Sequence, residues 1–380
     1  MKSLSIWTYY LHNKRKIVPV LVIIIISIIG LVTPPALFKS VKQEIVDGIQ
    51  IYNYYSVVFF NEAENPNISR ENFYKQLADT PGVDHVLESQ IRYTQRYAIS
   101  SDIDTPVFFI DSKDYDKALS QFNLSLFEGS LPKDNTNEVA LTTKLAKNKN
   151  LKIGDKFGYS IDPNDTIPGE YLVSGLLKAD VASLGIGNLG FVNQKRSPLT
   201  NFLVAPKPNQ SDTVDIELSK LRTTISSLSF ENYNSLFNRM NYGYGSLDLV
   251  FNIIILIIVT VISTSIALLQ IIFFMQRANE YGLFAAIGYT RSFIIKKSIF
   301  EVTILIIFGW IIGLFVTLMV FTFINNSLYI PKAYVPLNMF DPEIIKYSLP
   351  IPIVISVFSV IPILWQLIKM DPISIIERRD

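Results

Sequence analysis

The chain has 380 residues, of which 49% are hydrophobic and 18% are charged, a composition that favours a membrane protein. The formal net charge of +1 excludes a general affinity for polyanions such as nucleic acid. The absence of cysteine excludes disulfides, thiolate catalysis and cysteine-ligated metals, and two histidines are too few for a histidine-rich metal site. No catalytic residue and no metal ligand is therefore assigned.

The first apolar segment predicts a transmembrane helix over residues 17–38. Residues 1–16 are polar and end in Lys14-Arg15-Lys16, which places this N-terminal stretch in the cytoplasm by the positive-inside rule. A signal peptide is the competing interpretation. Thr33-Pro34-Pro35 stands where small cleavage-site residues would be needed, so a retained helix is favoured.

Residues 39–246 form a long polar block, which predicts an extracytoplasmic domain of mixed α/β type. The glycine-rich stretch Val181–Gly190 lacks a lysine and does not open a helix after a strand, so it predicts a mobile loop or edge hairpin and not a phosphate loop. The predicted strands are Tyr54–Phe60, Ile91–Ile99, Thr105–Ile110 and Tyr171–Leu177, and the predicted helices are Arg70–Asp79, Ser112–Gln121 and Thr142–Lys149.

Three further apolar segments, 247–275, 295–324 and 349–368, predict transmembrane helices two to four, with an outer loop over 325–348. The basic clusters of the N-terminus, of residues 277–297 and of the tail 369–380 then share the cytoplasmic side. The predicted fold class is a four-helix membrane protein in a 1+3 arrangement with an inserted α/β extracytoplasmic domain. In the third segment, Gly309 and Gly313 have the spacing of close helix packing.

Residues 276–294 predict a short cytoplasmic helix that joins the second and third membrane segments. Leu283, Phe284 and Ile287 fall on one helical face, Gly288 suits a helix C-terminus, and Thr290 can cap the next helix. A helix held in this way could move both membrane segments when a partner grips it. An ordinary turn between helices is the alternative interpretation.

Lys297 and Glu301 are four residues apart at the cytoplasmic end of the third membrane segment. A charge this close to the hydrocarbon should be paired, so an ion pair at the membrane boundary is predicted. In the tail, Asp371-Pro372 has the pattern of a helix cap followed by proline at the first helical position. Ile373 then begins an apolar face.

Three regions of the sequence resemble the MacB/FtsX-like permeases of ABC systems. The domain order Glu128-Gly-Ser-Leu-Pro132, Asn137-Glu-Val and Leu151-Lys-Ile-Gly-Asp155 is similar to that of MacB-like extracytoplasmic domains, and the tail around Asp371-Pro372 is similar to the family's ending. Ala285 departs from the family pattern, since many members carry a basic residue there. The loop signature matches at Arg277, Glu280, Gly282, Leu283, Ala286, Ile287, Gly288, Thr290 and Arg291.

The resemblance implies a permease subunit driven by a separate cytoplasmic ABC ATPase, which would bind ATP and Mg; no cofactor is expected in this chain, and its sequence has no P-loop motif. A homodimeric or heterodimeric permease partner and membrane lipid are further expected partners. The residues expected to contact the ATPase are Glu280, Tyr281, Gly282, Leu283, Ala286, Ile287 and Gly288 in the short helix, with Asp371, Pro372 and Ile373 in the tail.

Three functions remain open at this point. The first is export of an amphiphile such as an antibiotic, a peptide or a lipid-linked cargo. The second is an FtsX-like signalling subunit that regulates an extracellular cell-wall hydrolase, although the long block 39–246 favours the MacB-like shape. The third is a membrane-anchored sensor or binding protein outside the ABC class.

Overall fold

The computed structural model describes residues 14–99, 102–179, 183–192, 199–225, 228–276 and 278–349, with residues 352–354, 356–358, 360–361 and 364. The chain divides into two compact units. One is drawn from residues 1–39, 246–325 and 337–380 and is called the helical unit below. The other is drawn from residues 40–245 and 326–336 and is called the ectodomain unit.

Three of the described helices are long and apolar enough to cross a membrane, over Ile17–Asn53, Tyr233–Leu269 and Ser292–Tyr329. They belong to helices α1 (Lys14–Ile49), α7 (Tyr233–Gln276) and α9 (Arg291–Ile324). The fourth predicted span, 349–368, lies mostly outside the described residues, so a count of four stays a prediction.

Helix α1 continues well past the predicted end of the first membrane segment. Pro34 and Pro35 lie inside it, and the helix ends only at Ile49. Proline is tolerated within membrane helices because neighbouring groups can satisfy the carbonyls that it frees. The Thr33-Pro34-Pro35 sequence therefore does not mark a helix end.

Within the helical unit, α1 packs against α9 at the two glycines of the Gly309-x-x-x-Gly313 motif. A Cβ atom at Gly309 would lie 3.0 Å from Ile24, and one at Gly313 would lie 2.8 Å from Ile28. Both isoleucines are fully buried. The absence of a side chain at the glycines therefore allows these two helices to approach closely, as the motif predicts.

Among the described residues of the ectodomain unit, ten strands form a single sheet. Its order is β10-β1-β9-β2-β3-β8-β5-β7-β4, and β6 pairs with β7. The β3–β8 and β5–β7 pairs are parallel and the other pairs are antiparallel. The strands are β1 (Ser56–Asn61), β2 (Val83–Arg96), β3 (Ile103–Ile110), β4 (Ser125–Gly129), β5 (Glu138–Thr142), β6 (Lys156–Phe157), β7 (Tyr171–Lys178), β8 (Gly185–Asn188), β9 (Leu199–Pro206) and β10 (Ser229–Glu231).

Successive side chains of a strand point to opposite sides of the sheet, and helices pack against both sides. Helices α2 (Arg70–Ala78) and α6 (Ser211–Thr224) contribute to the cluster that contains Val58 and Phe202. Helix α3 (Tyr115–Gln121) contributes to the cluster that contains Val57 and Phe108, and α4 (Thr143–Lys149) to the one that contains Phe109. The predicted mixed α/β domain is observed. The remaining short helices are α5 (Leu189–Val192), α8 (Ala278–Ala286) and α10 (Pro342–Ser348).

The prediction of a mobile loop or edge hairpin over Val181–Gly190 was wrong for its second half. Residues 185–188 form β8, a fully buried strand between β3 and β5. A Cβ atom at Gly187 would collide with the ring of Phe109 on the neighbouring strand. The glycines here accommodate large side chains of adjacent strands, a reason for strand glycine that periodicity does not reveal.

The α1–α9 contact predicts that a single added methyl group at Gly313 destabilises the helical unit. Ile28 must shift to admit it, and overpacking of this kind costs about 1–3 kcal/mol. Gly30→Ala is the matched control, because nothing lies within 4 Å of a Cβ atom at Gly30. Thermal unfolding of the full chain in detergent should show a lower midpoint for Gly313→Ala and an unchanged or higher one for Gly30→Ala. Equal midpoints for the two variants would contradict close packing.

Candidate functional site

The short helix α8 joins the two long helices α7 and α9, and its C-terminus is closed by a glycine turn. Gly288 has a φ of +98°, in the left-handed region that glycine tolerates. The N–H of Tyr289 donates to the carbonyl of Phe284 at 3.0 Å. This six-to-one bond across a left-handed glycine is the hallmark of a Schellman motif. Gly288 therefore ends the helix as predicted.

The next helix begins at once, and its first turn is capped. Thr290 is extended, and its side chain accepts a hydrogen bond from the N–H of Phe293. The carbonyl of Thr290 accepts a second bond from the same N–H, at 3.0 Å. A threonine cap of this type satisfies a donor that the helix cannot satisfy itself. The prediction that Thr290 caps the following helix is confirmed.

Aromatic contacts bridge the turn. The rings of Phe284 and Tyr289 meet edge to face at 5.9 Å, and Tyr289 stacks on Phe293 at 4.9 Å. The ammonium of Lys297 lies 4.7 Å from the centre of the Phe284 ring. Such pairs each contribute about 0.5–1.5 kcal/mol. Together with the cap, they fix α8 against the start of α9, and we call the segment from Ala278 to Lys297 the elbow.

The elbow buries one side and exposes two aliphatic side chains on another. Tyr281 is 4% exposed, whereas Leu283 is 58% and Ile287 is 67% exposed. Leu283 and Ile287 are four residues apart, so their exposed side chains lie close together. Glu280 and Ala286 are also exposed, and Gly282 is buried.

The other predicted site residues are the Lys297–Glu301 ion pair and three residues of the C-terminal tail. Glu301 is buried at 4% exposure, and Lys297 lies over Phe284, so the Lys297–Glu301 ion pair stays a prediction. Asp371, Pro372 and Ile373 lie outside the described residues, as do Arg277 and the side chains of Ala285 and Arg291.

Tyr289 and Phe293 contribute ring contacts to the elbow, and the sequence prediction missed both. Tyr289 follows the left-handed glycine, and an apolar contact from that position back to Phe284 often accompanies a Schellman turn. The aromatic residue directly after Gly288, together with the cap at Thr290, is the sequence signal that indicates this contact.

The ectodomain unit holds an open cavity of about 270 Å³. Two aspartates line it, and neither has an ion-pair partner among the described residues. Burial raises the pKa of Asp215, the nearby charge of Asp212 also raises it, and hydrogen bonds from Asn232 and Ser56 oppose the shift. No cluster of metal-ligating side chains occurs in the described part of the chain. The cavity is lined by Tyr52, Asn53, Tyr55, Ser56, Pro206, Ser211, Asp212, Asp215, Asn232, Tyr233 and Asn234.

Gly288→Val should loosen the elbow without unfolding the rest of the chain. The position is open, with nothing within 4 Å of a Cβ atom, so the cost is backbone strain of about 1–2 kcal/mol or more for a β-branched residue. Hydrogen exchange should accelerate at least about fivefold at Ile287 and Tyr289. Gly243→Val, at an equally open helical glycine, controls for the side chain. Unchanged exchange at Tyr289 would show that the left-handed turn is not required.

Asp215→Asn should change how stability depends on pH. Because the folded pKa of Asp215 is raised above its ordinary value of 3.8, its contribution to stability is fullest below that value. The contribution is lost as pH rises through the folded pKa. The variant should therefore be more stable than the parent at pH 7, and the difference should vanish in acid. Thermal melts of the full chain from pH 3 to pH 8 test this, with exposed Asp116→Asn as the control.

Apolar helices long enough to span a bilayer, together with an α/β domain inserted between the first two, define a multi-pass membrane protein. Residues 252–372 match the family model described as FtsX-like permease C-terminal. This region contains the elbow and α9, and it is similar to the C-terminal region of FtsX-like permeases. The resemblance to MacB/FtsX-like permeases is thus confirmed. The comparison with curated proteins gave no match.

Three solved structures are similar to about half of the chain. One is the extracellular domain of the noncanonical ABC-type transporter YknZ from Gram-positive bacteria, at 16% identity and a TM-score of 0.30, covering 47% of this chain and 100% of that one. The second is the periplasmic region of MacB from Actinobacillus actinomycetemcomitans, at 11% and 0.29, covering 49% and 92%. The third is a domain of a putative permease protein from Porphyromonas gingivalis, at 12% and 0.25, covering 48% and 90%.

Proposed function

We propose that this chain is the membrane subunit of an ABC-type export system in which a separate ATPase supplies the energy. The elbow is the proposed contact with that ATPase, and the observation that carries the proposal is its combination of order and exposure. Leu283 and Ile287 are exposed apolar side chains on a segment that is held in place by a hydrogen-bonded turn, a helix cap and aromatic contacts. A partner that binds them gains apolar burial without the cost of ordering a loop.

Force applied to the elbow would be passed on by α9. This helix has 34 residues without a proline, so it extends for about 50 Å at 1.5 Å per residue. It begins directly at the capped turn, and its glycines contact Ile24 and Ile28 of α1. A displacement at Thr290 therefore reaches α1 through packed side chains, and α1 itself continues as one helix to Ile49.

The proposed cargo is an amphiphile such as an antibiotic, a peptide or a lipid-linked molecule, expelled by ATP-driven movement of the domain of residues 39–246. We place that domain outside the cell membrane and the two chain termini in the cytoplasm. The working unit is a homodimer or heterodimer of permeases in lipid. ATP and Mg would be bound by the ATPase and not by this chain.

Leu283→Asp should separate the permease from its ATPase. An unpaired charge buried at the interface costs about 3–5 kcal/mol, which weakens association by a factor of about 100 or more. Ile216→Asp is the matched control, since Ile216 is 57% exposed on α6 of the ectodomain unit. The measurement is co-purification of the partner ATPase, with ATP turnover in reconstituted membranes. Retention of the ATPase and full coupled turnover by Leu283→Asp would make the elbow a passive turn.

The proposed topology predicts which cysteines react from outside the cell. The chain has no cysteine of its own, so single replacements report one site each. Ser160→Cys should react with a membrane-impermeant thiol reagent in intact cells, and Ser292→Cys should react only after permeabilisation. Both serines are exposed, so a difference reports on the side of the membrane. External labelling of Ser292→Cys would reverse the orientation and remove the elbow from the ATPase.

A further inference from the structure

The connection between α9 and α10 is not a free surface loop. Residues 326–336 belong to the ectodomain unit, although the helices on either side of them belong to the helical unit. Asn148 of α4 donates to the carbonyl of Lys332 at 2.8 Å. The same Asn148 side chain also bonds both the N–H and the carbonyl of Tyr97, each at 2.8 Å, so it ties the connection to the end of β2.

Helix α1 supplies a second anchor, which uses both backbone groups of one residue. The N–H of Val335 donates to Glu44 Oε1 at 3.1 Å, and the carbonyl of Val335 accepts from Ser40 Oγ at 2.6 Å. Glu44 is completely buried, and the carbonyl of Glu44 accepts from Arg96 Nη2 at 3.2 Å. Arg96 itself is 1% exposed. Hydrogen bonds in such a buried setting are strong and depend closely on geometry.

The two residues that flank the connection, Asn325 and Leu337, are hydrogen-bonded to each other within the helical unit. The side chain of Asn325 bonds both the carbonyl and the N–H of Leu337, at 2.9 and 2.8 Å. Lys39 of α1 pairs with Asp341 and Glu343 at the start of α10, each at 2.7 Å. Closely spaced residues of α1, from Lys39 to Glu44, thus bond along the connection from Val335 to Glu343.

We propose that residues 326–343 form a strap that Ser40, Glu44 and Asn148 hold within the ectodomain unit and that Lys39 and Asn325 hold within the helical unit. The strap is a load path additional to the continuous helices α1 and α7. Its use in transport rests on the proposed function, whereas its anchoring is a property of the chain alone. The residues that hold it are Ser40, Glu44 and Asn148, which act by positioning Lys332 and Val335.

Hydrogen exchange of the full chain in lipid nanodiscs, without any ATPase, tests the anchoring. In the parent, amides 332–335 should exchange slowly. Glu44→Ala should accelerate them at least tenfold, together with amides 343–348 of α10, and leave Leu203 in the centre of the sheet unchanged. Because Glu44→Ala can unfold the domain around Arg96, Ser40→Ala serves as a second variant that should give a smaller change of the same pattern. Ser219→Ala, which also loses a serine bond to a carbonyl, should change neither segment.

A reversible cross-link then tests whether a connection between positions 40 and 335 is itself enough to slow hydrogen exchange. Cysteines at positions 40 and 335 of the Glu44→Ala chain, joined by a short bis-methanethiosulfonate, should restore slow exchange in both segments, and a reducing agent should abolish the rescue. The single-cysteine chains are the controls. The proposal is wrong if parent amides 332–335 exchange as fast as a free loop. It is equally wrong if Glu44→Ala and Ser40→Ala leave α10 unaffected, or if the cross-link does not rescue it.

The same variants separate the strap from the proposed function. In the complex with the ATPase, Glu44→Ala should keep the partner but reduce the ATP-dependent change in ectodomain exchange, and the cross-link should restore it. An unchanged ATP response in Glu44→Ala would overturn the strap as a load path. Failure of the parent chain to bind an ATPase would instead refute the proposed function, while the exchange results without ATPase would still decide the anchoring.

Discussion

The left-handed turn at Gly288 is the constraint on which the proposed mechanism depends. It ends α8 and lets Tyr289 bond back to Phe284, and Thr290 caps α9 two residues later. Only glycine adopts this conformation without strain. Because few residues separate the two helices, the turn allows little relative movement, and a partner that moves α8 also moves α9. The aromatic contacts across the turn restrict this relative movement further.

The remaining structure can be understood as paths along which such a movement travels. Small residues on α9 allow it to approach Ile24 and Ile28 of α1, so the two helices are closely packed there. Helix α1 then carries Ser40 and Glu44, whose bonds to Val335 anchor the strap. Van der Waals packing and buried hydrogen bonds therefore play different parts: packing joins the apolar helices, and polar bonds join the strap to the sheet domain.

The sequence predicted local features well and long-range arrangement poorly. Gly288 and Thr290 are informative because the backbone conformation of a helix end depends on the residues beside it. Strand β9 lies in the middle of the sheet yet was not predicted, because its neighbours β1 and β2 are distant in sequence and both of its faces are buried. The glycines of β8 were misjudged for the same reason: the ring of Phe109 that requires Gly187 comes from another strand. Likewise, nothing in the segment 326–336 itself indicates that Glu44 holds it.

The central claim is that the elbow and α9 move as one body, and a distance measurement tests it most directly. Nitroxide labels at Gln276→Cys, two residues before α8 begins, and at Ile311→Cys on α9 would be placed in this cysteine-free chain, at positions where both side chains are exposed. Pulsed electron paramagnetic resonance of the full chain in nanodiscs, with the ATPase and with or without ATP, gives the distance distribution. We predict a single narrow distribution that ATP does not shift. A broad distribution, or one that moves with ATP, would contradict a rigid elbow.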